Sequence, residues 1–255
     1  MHNQIHCPRC YSANVKKNGF YDSKKQSHCC KVCHKKFTDD GSRWFVTGQQ
    51  QELVKRLLLE RLSLRGICRA VEVSMSWLMT FIKELYAALP DDLNCEVALE
   101  KGKKDNTYYI KLFDNEADEL WSFVGKRSNV YYVWLVVHRQ SRQVIAFHVG
   151  DRSRASAKQL WAKIPAHIQN FGLFHTDNWK AYQTVIPEQR HLYSTKKKWT
   201  NHVERLNCTL RQRIARLVRE TLSFSKILTN HIGAIKYFLC QYNLDMKNKF
   251  SAPTL

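Results

Sequence analysis

Residues Tyr131–Val137 read Tyr-Tyr-Val-Trp-Leu-Val-Val, seven positions without a charged or amide side chain. A strand with one wet face alternates apolar and polar residues, whereas a strand buried on both faces need not. This run therefore predicts an interior strand with other elements stacked above and below it. That demands a layered fold, and the flanking sequence supplies the layers.

Tyr108–Phe113, Glu119–Val124 and Val144–Val149 are further apolar or aromatic runs. Ser128-Asn129 and Gln140-Ser141-Arg142 are turn-like breaks, which predicts a three-stranded antiparallel meander. Ser153–Ile164 has helical spacing and stops at Pro165. Phe171–His175 reads as a fourth strand, ending at Thr176-Asp177. A long helix begins near Thr200, with Val203, Leu206, Leu210, Ile214 and Leu217 on one face, and Ile227–Tyr242 predicts a last helix. Strands, helix, strand, helix is the element order of a ribonuclease-H-like α/β fold, a mixed five-stranded sheet with helices.

The N-terminal region is of another kind. Cys7-Pro8-Arg9-Cys10 and Cys30-Lys31-Val32-Cys33 are paired Cys-x-x-Cys knuckles, a spacing that lets four thiolates converge on one structural Zn²⁺. So short a segment has little core of its own, and metal ligation would supply much of its folding energy. A redox pair is the alternative, and His28 and Cys29 are spare ligands. Residues 49–90 read as three helices with Ser74 capping the last. This predicts a helix-turn-helix whose final helix offers Ser76, Trp77 and Thr80 to a DNA groove. Glu72 stands where the turn usually has glycine. A plain helical bundle is the competing reading. The expected division is a zinc ribbon at 1–42, a helix-turn-helix at 43–90, a linker at 91–106 and a catalytic domain at 107–255, a multi-domain α/β chain.

The formal charge of +19 points to a polyanion, nucleic acid before an anionic membrane surface. No run of about 18 apolar residues is present, so no membrane span is expected. The opening residues lack a signal-segment pattern, and scattered cysteines suit a reducing cytoplasm. From Arg190 to Lys226 ten Lys/Arg face two Asp/Glu. Within that basic stretch stands Glu204, with Arg211 two helical turns on along the same face. Asp118, at the start of the first long strand, and Asp177, at a strand end, are its expected companions. Clustered carboxylates repel, and Mg²⁺ or Mn²⁺ relieves this; two such ions can activate a nucleophile and stabilise the leaving oxygen of a phosphodiester. Each acid taken singly is as well explained by a cap or a surface ion pair, and Glu119 competes with its neighbour Asp118. Lys196, Lys197 and Lys198 before Trp199 suggest backbone contacts and base stacking, with a solvated charge run and a core tryptophan as the equal alternative. Cys208 and Cys240, beside apolar residues, read as buried thiols.

Three segments, ADELWSFVGKRSNVYYVWLVVHRQSRQVIAFHVGDRS, TDNWKAY and HVERLNCTLRQRIARLVRETLSFSK, resemble the catalytic domain of insertion-sequence-one family DDE transposases. The doubled Cys-x-x-Cys with a helix-turn-helix is similar to that family's DNA-binding region. The resemblance implies a transposase acting on transposon ends and target DNA. Asp118, Asp177 and Glu204 would hold the metals, Arg211 would grip phosphate near the scissile bond, and Asn207 would help orient the site. It implies a homodimer or higher assembly on DNA, in the cytoplasm with the nucleoid. A regulator without catalysis, or a nuclease or resolvase without strand transfer, remains open on the residues alone.

Overall fold

The structure, a computed structural model, describes residues 5–20, 25–38, 46–96, 113–193 and 199–251. Lys196, Lys197 and Lys198, and most of the run 108–113, lie outside the described residues. The chain forms two compact units, Met1–Lys55 and Arg56–Leu255.

In the first unit β1 (Val15–Phe20), β2 (Gln26–Cys30) and β3 (Lys36–Thr38) form an antiparallel sheet in that order. Its small core gathers Cys7, Cys30 and Phe37. Helix α1 (Gly48–Leu57) opens on a reciprocal cap: Gln50 N donates to Thr47 Oγ1 at 3.2 Å and Thr47 N to Gln50 Oε1 at 3.0 Å.

The second unit begins with α2 (Leu64–Val71) and α3 (Met75–Ala87), capped by the hydroxyls of Ser63 and Ser74. Between them Glu72 adopts φ 57°, ψ 42°, the left-handed region that glycine occupies without a Cβ penalty. The turn thus has the geometry a glycine would give, built with a glutamate.

The five-stranded sheet comprises β4 (Phe113–Phe123), β5 (Val130–His138), β6 (Val144–Gly150), β7 (Gly172–Thr176) and β8 (His191–Tyr193), in the order β6-β5-β4-β7-β8. β4, β5 and β6 are the antiparallel meander, and β7 and β8 join parallel. The remaining helices are α4 (Arg154–Ala162), α5 (Ala166–Phe171), α6 (Lys180–Gln183), α7 (Asn201–Arg213) and α8 (Leu228–Ser251). On one face Val133, Leu135 and Val137 of β5 pack with Leu120, with α7 through Val203, Leu206 and Leu210, and with α8 through Ile235 and Leu239. On the other, Trp134 and Val136 pack with Ala157 and Leu160 of α4, Ile168 of α5 and Tyr182 of α6. Tyr131–Val137 is thus covered on both sides, as its missing alternation requires.

One strand boundary differs from expectation. β4 runs unbroken through Asp114-Asn115-Glu116-Ala117-Asp118, so Asp118 sits mid-strand rather than at its start. The polar stretch that reads as a break is strand because its side chains find partners on both faces. β7 pairs β4 only from Phe113 to Glu116. Beyond Glu116 that flank of β4 is open, and the chain leaving β7 delivers Asp177 there.

Helix α3 lies close against α8: a Cβ on Gly233 would come within 2.2 Å of Tyr86 Cδ2. Residues 91–96, the start of the expected linker, are tied to the same body. Lys236 Nζ donates to Leu89 O and Asp91 Oδ1, Asn243 Nδ2 to Leu93 O, and Glu96 N to Gln143 Oε1.

The left-handed Glu72 costs about 1–2 kcal/mol that glycine would avoid, less the greater freedom glycine has when unfolded. Glu72→Gly should therefore stabilise the protein by about 1 kcal/mol, raising the melting midpoint by ~2–4 °C in calorimetry. A lower midpoint would show that Glu72 makes compensating contacts.

Candidate metal centres

Four thiols of the first unit converge. Cys7 Sγ lies 3.5 Å from Cys33 Sγ and Cys10 Sγ 3.6 Å from Cys30 Sγ, and all four come within 4.8 Å of one another. Tetrahedral Zn²⁺ with ~2.3 Å bonds holds its sulfurs about 3.8 Å apart, so the donor set fits zinc without rearrangement. The Cys33 backbone N–H is the first of several groups that bring the Cys30 thiol down to about 6, against the opposing effect of burial. Cys29 instead directs its thiol to Cys30 O at 3.7 Å, and His28 stacks on Phe37.

The second centre is acidic and opens where β7 stops. A cleft of about 450 Å³ is lined by Asp118, Glu119, Asp177, Asn178, Thr200, Glu204, Asn207, Cys208 and Arg211. One oxygen each from Asp118, Glu119 and Asp177 lies within 4.8 Å of the others. Alternation along β4 sends Asp118 toward α7 and Glu119 toward α4 and α6, yet both reach the open flank. Asp118 Oδ2 accepts a 2.8 Å hydrogen bond from Asn207 Nδ2. Asp177 Oδ1 accepts from Trp179 N at 3.1 Å. Glu204, in the first turn of α7, accepts from Thr200 Oγ1 at 3.0 Å.

Burial pushes the Asp118 carboxyl up to about 7; the Glu119 backbone N–H opposes this, while the charges of Glu119, Asp177 and Glu204 add to it. Burial likewise raises Glu119. Carboxylates half withdrawn from water and repelling one another are a donor set that a hard divalent cation relieves. Asp118, Glu119 and Asp177 would hold such an ion, with Glu204 on the facing wall.

The sequence-derived residues divide by location. Asp118, Asp177, Glu204, Asn207 and Arg211 share the cleft. Asn207 is buried and spends its amide on Asp118, while Arg211 Nη1 is buried without a hydrogen-bond partner among the described residues. Ser76 and Thr80 are exposed on α3, and Trp77 is half-buried, stacked on Phe81 at 4.9 Å. Cys240 is buried, but Cys208 is exposed and lines the cleft, a correction to its reading as a core thiol. Its place on the helix, one residue past Asn207, turns it toward the opening.

Sequence reasoning passed over Arg152 and Glu116. Arg152 Nε donates to Glu119 Oε2 at 3.1 Å and its Nη2 lies 3.9 Å from Asp177 Oδ2. Its guanidinium sits 4.1 Å over Trp179. Glu116 is fully buried at the start of α7. The available signal was the alternation Asp114, Glu116, Asp118, an acid at every second position of one strand face.

For an acid whose folded pKa is raised above the unfolded value of about 3.9, the stabilisation is complete below about pH 4 and lost as pH rises through about 7. In chelator, Asp118→Asn should therefore raise the melting midpoint near neutral pH, the gain vanishing toward acid. Mg²⁺ must displace the proton, so its apparent affinity, followed by calorimetric titration, should fall about tenfold per pH unit below roughly pH 7. A pH-independent affinity would remove Asp118 from the ligand set. In the first unit, Cys30→Ser should cost the protein its zinc by metal analysis; unchanged zinc content would refute the four-cysteine site.

Comparison with known proteins adds a family. The IS1 transposase family model matches residues 111–244. The chain is similar to the insertion element iso-IS1n protein InsB of Shigella dysenteriae, 35% identical over 124 residues, covering 49% of this chain and 92% of that protein. The IS1 protein InsB of Shigella flexneri is 34% identical over 124 residues, with the same coverage of each. The IS1 2 protein InsB of Escherichia coli K12 is 32% identical, covering 49% of this chain and 72% of that one. A chain from the cryo-EM structure of the simian T-cell lymphotropic virus intasome with the PP2A regulatory subunit B56 gamma aligns with TM-score 0.37 and 12% identity, over 72% of this chain and 66% of that one. That score is too low to bear on fold or function.

Proposed function

We propose, from the premise that this chain belongs to the IS1 transposase family, that it binds the terminal inverted repeats of a transposon, cuts a strand at each end and joins the freed 3′-hydroxyl to target DNA. The observation that carries the reading is the meeting, at one open strand flank, of carboxylates remote in sequence. A ribonuclease-H-like catalytic fold is part of the proposal. It is supported by an antiparallel meander whose first strand is central and pairs in parallel with the strand after α5.

Divalent metal, Mg²⁺ or Mn²⁺, would supply activation of the attacking oxygen and stabilisation of the leaving one. The chain's own residues have separate tasks. Asp118, Asp177 and Glu204 provide the oxygens, with Glu119 assisting from the opposite face of β4. Asn207 fixes the rotamer of Asp118. Arg211, a cation with a buried N–H lacking an acceptor, is suited to a phosphate oxygen entering the cleft. Burial lowers its pKa, yet a guanidinium stays charged at neutral pH. Arg152, held over the Trp179 ring, adds a second cation at the rim.

DNA recognition is proposed for the zinc-ribbon cysteines' module and for α2–α3, with Ser76, Trp77 and Thr80 toward the bases. The lysines at 196–198 are proposed backbone contacts. Two transposon ends require two active sites, hence a homodimer or larger assembly. A transposase works where the chromosome is, so cytoplasmic action follows. Among the described residues no helix is long and apolar enough to cross a membrane.

The test is an incubation of the purified chain with labelled end DNA and a target plasmid in Mg²⁺. Joined products are expected, and Asp177→Asn and Glu204→Gln should each abolish them while leaving end binding within about twofold. Cleavage without joining would reduce the protein to a nuclease. Tight end binding with no cleavage in Mg²⁺ or Mn²⁺ would reduce it to a regulator. Arg211→Ala should weaken DNA binding and lower its log–log salt slope by about 1; an unaltered slope would count against phosphate contact.

A further inference from the structure

We infer that Glu116, which touches no lining residue of the cleft through its carboxylate, is a positioning residue for Glu204: it ties the first turn of α7 to β4 and so sets where the Glu204 carboxylate stands relative to Asp118. The inference deepens the proposed catalytic reading and rests on it for its kinetic part.

The first N–H groups of a helix have no partner within it and need one from outside. The N-cap position of α7 is Thr200, a residue type suited to the task, but it makes no side-chain cap bond. Its hydroxyl is committed to Glu204. The cap comes instead from the sheet. Glu116 Oε2 accepts from His202 N at 2.7 Å and Val203 N at 2.9 Å, the second and third residues of the helix. Glu116 is 0% exposed, so these charge-assisted bonds operate away from water, at the positive end of the helix dipole. Arg139 Nε at 3.1 Å and His202 Nε2 at 3.8 Å flank its other oxygen.

A second tie lies on the same face. Two residues along β4, Asp118 accepts from Asn207, further along α7. Two strand residues advance about 6.7 Å. The four to five helix residues between the capped amides and Asn207 advance about 6–7.5 Å. The strand and helix are therefore commensurate over this interval, and the two ties hold α7 at both ends of the segment carrying Glu204. With Glu116 neutral or absent, α7 keeps its apolar seat on Leu120 and β5 but loses the anchor that fixes its first turn. Groups that orient metal-binding side chains through such outer contacts are typically worth 10–100-fold in metal affinity or activity.

The experiment uses the full chain carrying Glu116→Gln, which preserves shape and one acceptor but removes the charge. Amide exchange by mass spectrometry is expected to quicken in peptides covering 200–206 and to stay unchanged in β5 and α8. Turnover on end DNA is expected to fall about 10–100-fold, with the half-saturating Mg²⁺ concentration raised several-fold and end-DNA affinity unchanged. Excess Mg²⁺ should recover part of the rate, which it should not do for Glu204→Gln. Should Glu116→Gln fail to fold, Arg139→Gln provides the milder disturbance of the same carboxylate, with quicker exchange at 200–206 again expected. Unchanged exchange at 200–206 in a folded variant overturns the inference, as does normal turnover with normal Mg²⁺ dependence. If wild type shows no metal-dependent cleavage while Glu116→Gln still loosens 200–206, the anchoring role stands and the catalytic reading falls.

Discussion

A sheet interior tolerates carboxylates poorly, and β4 carries four of them between Asp114 and Glu119. Each must be compensated, and the compensations organise the molecule around this strand. Asp114 meets His175 and Arg139. Glu116 takes the opening amides of α7. Glu119 takes Arg152. Asp118 alone is met by a neutral amide, and its other neighbours, Glu119, Asp177 and Glu204, share its sign. Stripping one partner from a buried ion pair costs about 3–5 kcal/mol, so the fully buried Glu116 is committed to structure. Asp114 is spent on its two cations at a partly exposed position, and Glu119 keeps Arg152 while still facing the cleft. The fourth is left with unspent charge, and that imbalance suits the cleft to a cation more than to another internal salt bridge.

The apolar part of this arrangement was legible in the sequence. Tyr131–Val137 lacks alternation because Trp134 and Val136 face one helical layer while Val133, Leu135 and Val137 face the other. The apolar residues from Val203 to Leu217 join the core they were expected to join, although α7 stops at Arg213 and Ile214 and Leu217 reach that core from an extended residue and a short 3-10 turn beyond it. Hydrophobic periodicity reports burial directly, so these elements could be read without a partner in view. Polar burial carries no such signal. Asp114–Ala117 falls between the apolar runs because nothing local tells that Glu116 will find two amides on a helix more than eighty residues away. Glu204 was found because one of two acids in a basic stretch is conspicuous; Glu116 was missed because an acid among acids is not. The four clustered cysteines are the opposite case, since the spacing of two knuckles already contains most of their geometry.

Local rules also fail where tertiary contacts overrule them. Glu72 occupies a left-handed turn although its side chain gains nothing from the conformation among the hydrogen bonds described. The turn is closed by Val73 N donating to Cys68 O at 3.1 Å and by Ser74 capping α3. Ile67, Val71, Leu78 and Ile82 are buried. Burying four such side chains contributes several kcal/mol, at ~1.5–3 kcal/mol each, which outweighs one unfavourable dihedral. The same surplus lets α3 approach α8 closely enough that only glycine fits at position 233. The polar residues that follow α3 act as fasteners to α8 and β6, so the helix pair and the sheet belong to one body.

That fastening bears on how α7 can work. Its apolar stripe is fixed by the core, and the stripe beside it presents Glu204, Asn207 and Arg211 at intervals of three and four residues, one line along the helix. Read from the N-terminus the line runs carboxylate, amide, guanidinium, so the cleft grades from acceptor oxygens to a donor cation over about 10 Å. A phosphodiester is itself anionic and would be repelled by bare carboxylates; it is drawn in only where cations outnumber them. Arg211 and Arg152 at the rim supply part of that balance, and a divalent ion among the acids would supply the rest. The helix can impose this gradient only while its rotation about its own axis is fixed, since a turn of one residue, about 100°, would exchange the polar line for the apolar one. Leu206 and Leu210 fix that rotation from below, and the Asn207–Asp118 bond fixes it from within the cleft.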